Sequence, residues 1–521
     1  MDFINCPLTS KLDSRCASTK RDCFSMMKPR FVLIWLLAAV LFASGCTVIA
    51  PAMEPYLATA QAILPSPQVF TTPLPQDILP TITTIPDPEP VKITFDGTAE
   101  FGVEVNTFDV DFAKIQGLGA KWVRYNGIVW SDVEPLEGVF DWSKVAKFEE
   151  GAKKAQEAGL NLIVIVRGTP VWAQKIYGYY CGQILPEKQV NFAGFMVQLV
   201  NRYSQAPFNI HSWEIWNEPD VAPELIPPVS PFGCWGDQMD PFYGGGAYAE
   251  MLRAVVPPMR AVDPAVEILP GGLLLDCDPA NPGQPGRCAQ GSELPPRFIQ
   301  GVLQAGGGEF MDFVNYHGYP SFNSNMYSPA NSEINFPTWQ ARGGVVEGKA
   351  NFLREMMAAY NVKLPLFLTE TSFLCRESTP GCYPIGDDFL QKQAEYGSWL
   401  VVRNYSENIS TIWYPFNGPG WRNGGILDNE QNPRPVYYAI QTALRKISGS
   451  ILIRKIDEYS GIIGYEFQSQ QGRFYFLAPV SDIPPTWALP DGVSTISDIF
   501  GQPVSPDTIS PLISPIFVDL K

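Results

Sequence analysis

The sequence predicts an α/β chain: a (β/α)8 barrel of the TIM type, closed off by a small all-β domain. Three observations point there. From about residue 98, short apolar runs alternate with amphipathic segments eight times. The runs are apolar nearly throughout rather than at every second position, the pattern of strands buried on both faces of a parallel sheet. After residue 450 the pattern changes to short strand-like pieces separated by Gly, Pro and Asp, which reads as a compact β domain.

The eight expected strands are EFGVEVN (100–106), KWVRYNGIVW (121–130), LNLIVIVRG (160–168), IHSWEIWNEP (210–219), VEILPGGLL (266–274), MDFVNYHGYP (311–320), LPLFLTETSF (364–373) and ISTIWYPFNG (409–418). Helix-like stretches lie between them, such as SKVAKFEEGAKKAQEAG after the second and VNFAGFMVQLVNRYS after the third. Eight such units fit a (β/α)8 barrel with insertions. An open doubly wound sheet normally has fewer strands and a Gly-rich first turn.

The chain before the barrel has a different character. Residues 27–46, MKPRFVLIWLLAAVLFASGC, carry a basic start and an apolar stretch too short to span a bilayer comfortably, then small residues and a Cys. This resembles a bacterial lipoprotein signal, cleaved before a lipidated Cys46, with Ala43 where the pattern usually has Leu. The alternative is a plain signal peptide or membrane anchor. Translation is expected to start at Met26 or Met27. Residues 47–92 are rich in Pro and Thr, a composition that forms an extended tether rather than a core. The expected organisation is therefore extension and signal (1–46), tether (47–92), barrel (93–447) and β domain (448–521), with the protein exported and held to the cell envelope, or otherwise secreted. Without the three cysteines before the signal and Cys46, six of the ten Cys remain, an even number that suits disulfides in an exported chain. Proximity suggests Cys277/Cys288 and Cys375/Cys382, which leaves Cys181 with Cys234.

Composition excludes several functions. A net charge of −16 and a pI near 4.7 argue against a nucleic-acid partner and weakly against polyanionic glycans. There are only two His. The sequence has no His-Glu-x-x-His, no phosphate loop and no paired Cys-x-x-Cys, so neither a metal nor an organic cofactor is implied. A monomer is expected.

Chemistry in such a barrel sits at the C-terminal ends of the strands. There the sequence puts Arg124 on strand two and Asn217-Glu218-Pro219 on strand four. His317 and Tyr319 follow on strand six, Glu370 on strand seven and Trp413 on strand eight. Two carboxylates facing each other across a cleft are what glycoside hydrolysis needs: one protonates the leaving oxygen, and the other attacks the anomeric carbon or activates water. Trp216-Asn217-Glu218-Pro219, taken with Glu370, resembles clan A of the glycoside hydrolases, a set of retaining (β/α)8 enzymes. WVRYNGIVWSDVEPLEGVFDW (122–142) is similar to the second-strand region of families 39 and 42, DFVNYHGYP is similar to the sixth-strand motif of family 39, and the general look extends to family 5-like members. The resemblance covers most of residues 95–445. It implies Glu218 as acid/base, Asn217 on the sugar 2-hydroxyl, Glu370 as nucleophile, Arg124 and Tyr319 orienting Glu370, His317 lining the sugar site and Trp413 stacking under the ring.

Trp130, Trp172, Trp235 and Trp421 fall in or near βα-loops and are further candidates for sugar platforms, whereas His211, Trp122 and Trp213 read as structural. The expected function is retaining hydrolysis of a neutral β-linked oligo- or polysaccharide. A non-catalytic glycan-binding lipoprotein and a transglycosylase are the alternatives.

Overall fold

The computed structural model describes residues 99–281 and 294–521. The signal with Cys46, the whole Pro/Thr-rich tether (47–92) and Cys288 lie outside the described residues. Eight parallel strands form one sheet: β1 (Phe101–Val105), β2 (Trp122–Val129), β3 (Asn161–Arg167), β4 (Ser212–Ile215), β5 (Glu267–Leu269), β6 (Val314–Gly318), β7 (Leu366–Thr371) and β8 (Ile409–Trp413). Their order is β5-β4-β3-β2-β1-β8-β7-β6. A parallel bridge between Leu273, just past β5, and Tyr316 on β6 joins the two edges and closes the barrel. Each expected strand contains an observed one, and the expected helices appear as Ala146–Glu157 and Gln189–Tyr203.

Period-two alternation sends every second strand residue into the barrel. Near its base the interior is apolar, with Ile163, Leu269, Phe367 and Ile412 clustered beside Trp122 and Phe313. Gly102 leaves room there, since a Cβ on it would lie 2.6 Å from Ile412 Cδ1. Two residues further along β2 the inward side chain is Arg124, and its register neighbour on β1 is Glu104. The interior therefore changes from hydrocarbon to charge within one layer.

A second sheet of five antiparallel strands follows the barrel: β9 (Ile451–Ile456), β10 (Ile462–Ser469), β11 (Gly472–Pro479), β12 (Val493–Asp498) and β13 (Ile516–Leu520), in the order β12-β13-β11-β10-β9. One set of its side chains, including Tyr465, Phe467, Phe474, Phe476 and Phe517, joins the barrel's core. The opposite set, Tyr475, Leu477, Ile516 and Val518 among them, builds a smaller core of its own. Beneath the sheet the helix Asp387–Ser406 carries Arg403, whose guanidinium binds both oxygens of Glu333 at 2.8 and 2.9 Å. Trp399 Nε1 donates to the same carboxylate at 3.1 Å.

Two expected disulfides are present, Cys181–Cys234 and Cys375–Cys382. Cys277 is disulfide-bonded as well.

Arg403 and Glu333 are both fully buried, so Arg403→Met leaves an unpaired buried carboxylate and should cost about 3–5 kcal/mol in urea unfolding. The double variant Arg403→Met/Glu333→Leu should recover most of that loss. An additive loss in the double variant would show that the pair itself, rather than the orphaned charge, sets the stability.

Candidate active site

β4 ends abruptly. Trp216 and Glu218 both have positive φ, 75° and 46°, in a region that costs a non-glycine residue energy and is tolerated where the surroundings over-determine it. The surroundings do so here. Trp216 Nε1 donates to Cys181 O at 2.9 Å, Glu218 N–H to Gly272 O at 3.1 Å, and the Asp220 carboxylate accepts from the Leu274 and Leu275 N–H groups at 2.8 Å each. The kinked backbone brings Asn217 and Glu218 to the barrel mouth, 7% and 9% exposed. On β7 the register slips by one residue at Thr369, so that His317 pairs with Glu370. A bulge of this kind re-aims a side chain, and Glu370 turns to face Glu218.

Arg124, fully buried, organises the site. Nε and Nη2 clasp Glu214 at 2.7 and 2.8 Å. Nη2 also donates to Asn217 Oδ1 at 3.0 Å, and Nη1 donates to Glu370 Oε1 at 2.6 Å and to Glu104 Oε2. Tyr319 Oη donates to Glu370 Oε2 at 2.5 Å. His317 Nδ1 lies 2.9 Å from Glu218 Oε1 and 3.5 Å from Glu370 Oε2. Oxygens of Glu218 and Glu370 and a ring nitrogen of His317 all lie within 4.8 Å of one another.

Electrostatics set the charge of Glu370. Burial opposes the charge on Glu370, but His317, Arg124 and the Tyr319 hydrogen bond outweigh it and hold the group below the usual carboxylate range. Burial pushes His317 down to about 4, so at neutral pH the guanidinium and the phenol keep Glu370 ionised. His317 Nε2 sits 3.5 Å from Arg124 Nη2, which can only donate. The neutral ring therefore carries its proton on Nδ1 and donates it to Glu218 Oε1. Gly272 makes room for this ring, because a Cβ there would lie 1.9 Å from Nε2.

Glu104 and Glu214 are missing from the sequence-derived site. Glu104 is 1% exposed and its Oε1 has no hydrogen-bond partner. One guanidinium faces three carboxyl groups. Glu214 receives two Arg124 nitrogens and the Gly272 N–H at 2.7 Å, and Glu370 receives Arg124 and Tyr319, whereas Glu104 shares Nη1 with Glu370. Burial first, and then the charges of Glu370 and Glu214, raise Glu104 well above the carboxylate range against the pull of Arg124. Glu104 is therefore the carboxyl group of this layer whose charge is least favoured. The signal for both residues was charge at inward positions of otherwise apolar strands.

The aromatic expectations need correction. Trp413 is fully buried, its Nε1 bonded to Gly424 O at 2.8 Å, and it has no face open to a sugar. Trp130 is equally buried against Trp172, Phe192 and Phe195, and Trp235 is 1% exposed. Trp172 is half-buried, edge-on to Trp130 and capped by Lys188. Trp421 is 46% exposed and stands edge-on to Tyr319 at 5.5 Å, which makes it the open aromatic beside the carboxylates. His211 binds Asp263 at 2.7 Å near the base of β4, in keeping with a structural role.

Glu218, His317 and Glu370 are the one group among the described residues with the donor set of a metal site. They fit a cation poorly. Both Glu370 oxygens already accept hydrogen bonds, and Arg124 places a fixed positive charge beside the imidazole.

No protein-family model matches the sequence, and no curated protein matches it. Among solved structures, the chain is similar to a family 39 glycoside hydrolase from the gut symbiont Bacteroides cellulosilyticus WH2, with 18% identity, 81% of each chain covered and a TM-score of 0.56. It also matches a family 30 endoxylanase from Clostridium papyrosolvens C71, with 12% identity, 81% of this chain and 96% of the other covered, and a TM-score of 0.49. A monomeric β-xylosidase from Caulobacter crescentus CB15 matches with 16% identity, 76% and 78% coverage and a TM-score of 0.47. The family 39 likeness shows the fold: a parallel eight-stranded barrel with an added antiparallel sheet.

Two outcomes follow for the ionised layer. A raised folded-state pKa stabilises below the unfolded value and loses that contribution as pH rises through the folded value. The Tm advantage of Glu104→Gln over wild type should thus be smallest below about pH 4 and widen toward about pH 8. An advantage that shrinks with rising pH would mean that Glu104 is ionised. With only two His in the chain, NMR can follow His317 directly. Its ring should not titrate between about pH 5.5 and 8, and Gly272→Ala should move its signals while leaving those of His211 in place.

Proposed function

We propose that the protein is a retaining β-glycoside hydrolase. The observation that carries this reading is the approach of Glu218 and Glu370, oxygen to oxygen within 4.8 Å across the barrel mouth. Retaining pairs stand about 5–5.5 Å apart, whereas inverting pairs need about 6.5–9.5 Å to admit a water. Glu370, ionised and oriented by Arg124 and Tyr319, attacks the anomeric carbon. Glu218 gives its proton to the glycosidic oxygen as that bond breaks. Since His317 occupies Oε1, the transferable proton belongs on Oε2. The glycosyl-enzyme ester then leaves Glu370 uncharged, and Glu218, now a carboxylate, takes a proton from the water that hydrolyses the ester. Asn217 Oδ1 is held by Arg124, which leaves its amide N–H groups for a sugar hydroxyl.

The substrate we infer is a neutral β-linked oligo- or polysaccharide. Residues 27–46 support an envelope location through Cys46. An ionised Glu370 facing Glu218 at this distance favours catalysis over glycan binding alone, which needs neither.

Glu370→Ala should abolish turnover of activated aryl β-glycosides, and added azide should restore it with release of the α-glycosyl azide. Undiminished activity in that variant would sink the reading. An inverted product in wild type, seen by NMR of early hydrolysate, would remove the retaining mechanism alone.

A further inference from the structure

A second recess, of mixed polar and apolar lining, lies over the ends of β2, β3 and β4. It measures about 410 Å³ and is lined by Ser131, Asp132, Arg167, Gly168, Tyr180 and Ser230, among others. Trp216, two residues before Glu218, also lines it, so it adjoins the catalytic mouth.

Arg167 at the end of β3 is half-buried and makes one hydrogen bond, from Nε to Asn126 Oδ1 at 2.8 Å. Among the described residues no carboxylate oxygen lies within 4.0 Å of its guanidinium nitrogens. The two fully buried arginines differ in this respect, since Arg124 and Arg403 are each clasped by carboxylates. Burial pulls Arg167 below its ordinary value, and Asp132 opposes that shift. Its Nη groups thus remain donors without a protein acceptor, opening onto the recess. Asp132, exposed on the same rim, is an acceptor that attracts Arg167 without touching it. A donor and an acceptor of opposite charge, held apart, suit adjacent hydroxyl groups, each of which both accepts and donates. Their charges cancel, which selects against an ionic ligand.

The wall is built. The Cys181–Cys234 disulfide ties the loop after β3 to the loop after β4. Backbone bonds from Thr169 N to Tyr180 O at 2.8 Å and from Tyr180 N to Pro228 O at 3.1 Å fix the same loops. They present Tyr180, 42% exposed, as an aromatic surface for a sugar ring.

We propose that this recess is a subsite for a second, neutral sugar unit, held by Arg167 and Asp132 and joined to the unit at Glu218 and Glu370. The inference rests on the glycosidase reading and deepens it: the substrate is a chain, and the protein selects for its length.

The test compares kcat/KM on the 4-nitrophenyl β-xyloside and β-glucoside with kcat/KM on the matching β-1,4-oligosaccharides, from disaccharide to pentasaccharide. Wild type should favour the longer substrates. Arg167→Gln should reduce the oligosaccharide-to-monoglycoside ratio at least about tenfold, through KM, since the lost hydrogen bonds involve a charged partner. Asp132→Ala, at an exposed position where folding is not at risk, should reduce it in the same direction. An unchanged ratio in both variants overturns the subsite. If no glycoside is turned over, the catalytic reading has failed, and binding still decides the subsite. In calorimetric titration of Glu370→Gln with the same oligosaccharides, weaker binding on adding Arg167→Gln supports the subsite, and absent or equal binding overturns it.

Discussion

Arg124 is the constraint on which the rest of the site depends. A guanidinium is always charged and cannot be left alone in a barrel interior. The fold answers with Glu214 at one edge and Glu370 and Glu104 at the other. That arrangement fixes the orientation of Glu370, turns the Asn217 oxygen inward and leaves its amide N–H groups free, and sets the tautomer of His317. It also brings three carboxyl groups to one guanidinium, and the strain of the excess falls on Glu104. The opposite shifts of Glu370 and Glu104 follow from counting donors: two groups feed the first, while the second has a share of one nitrogen.

The strands and the carboxylate pair were legible in the sequence for physical reasons. Strands buried on both faces must be apolar over their whole length, so they stand out from the amphipathic helices. An ionisable residue at the end of such a strand is costly enough to be conspicuous, and Glu218 and Glu370 were found that way. Glu214 sits inside the same stretch as Glu218, but a single charge on the inward face of a strand is far less conspicuous in sequence than one at the strand's end. The tryptophans failed for a different reason. Trp130, Trp235 and Trp413 stand near the barrel mouth in sequence, but a large apolar ring gains most by burial, and the direction of a side chain is lost to sequence reading once a bulge or a positive φ breaks the alternation. Trp421, in a loop, stays open to the mouth.

The antiparallel sheet contributes from outside. Its aromatic face completes the core over the helices at the β6 and β7 side of the barrel, Ser328 bonds the sheet's backbone at Pro479, and Tyr327 bonds Leu512 O in the segment leading to its last strand. Tyr319 follows β6 directly and Glu370 lies on β7, so the bracing bears on the side that carries Glu370. The opposite side, over β2 to β4, is held by the Cys181–Cys234 bridge instead. The two halves of the mouth are stiffened by different means.

The partners of Arg124 lie far apart along the chain: Glu104 at 20 residues, Glu214 at 90 and Glu370 at 246. Local folding alone satisfies few of them. A chain with β1 to β4 formed would bury Arg124 beside two carboxyl groups, with neither β7 nor the closing contact from β6 in place. The charged layer gains its last partner, Glu370, only when β7 arrives. Ring closure and completion of the ionic centre are thus one event, and a partly folded barrel keeps open sheet edges and lacks the third partner of Arg124. For a long chain rich in non-local contacts, which would otherwise collect intermediates, that coupling makes closure cooperative.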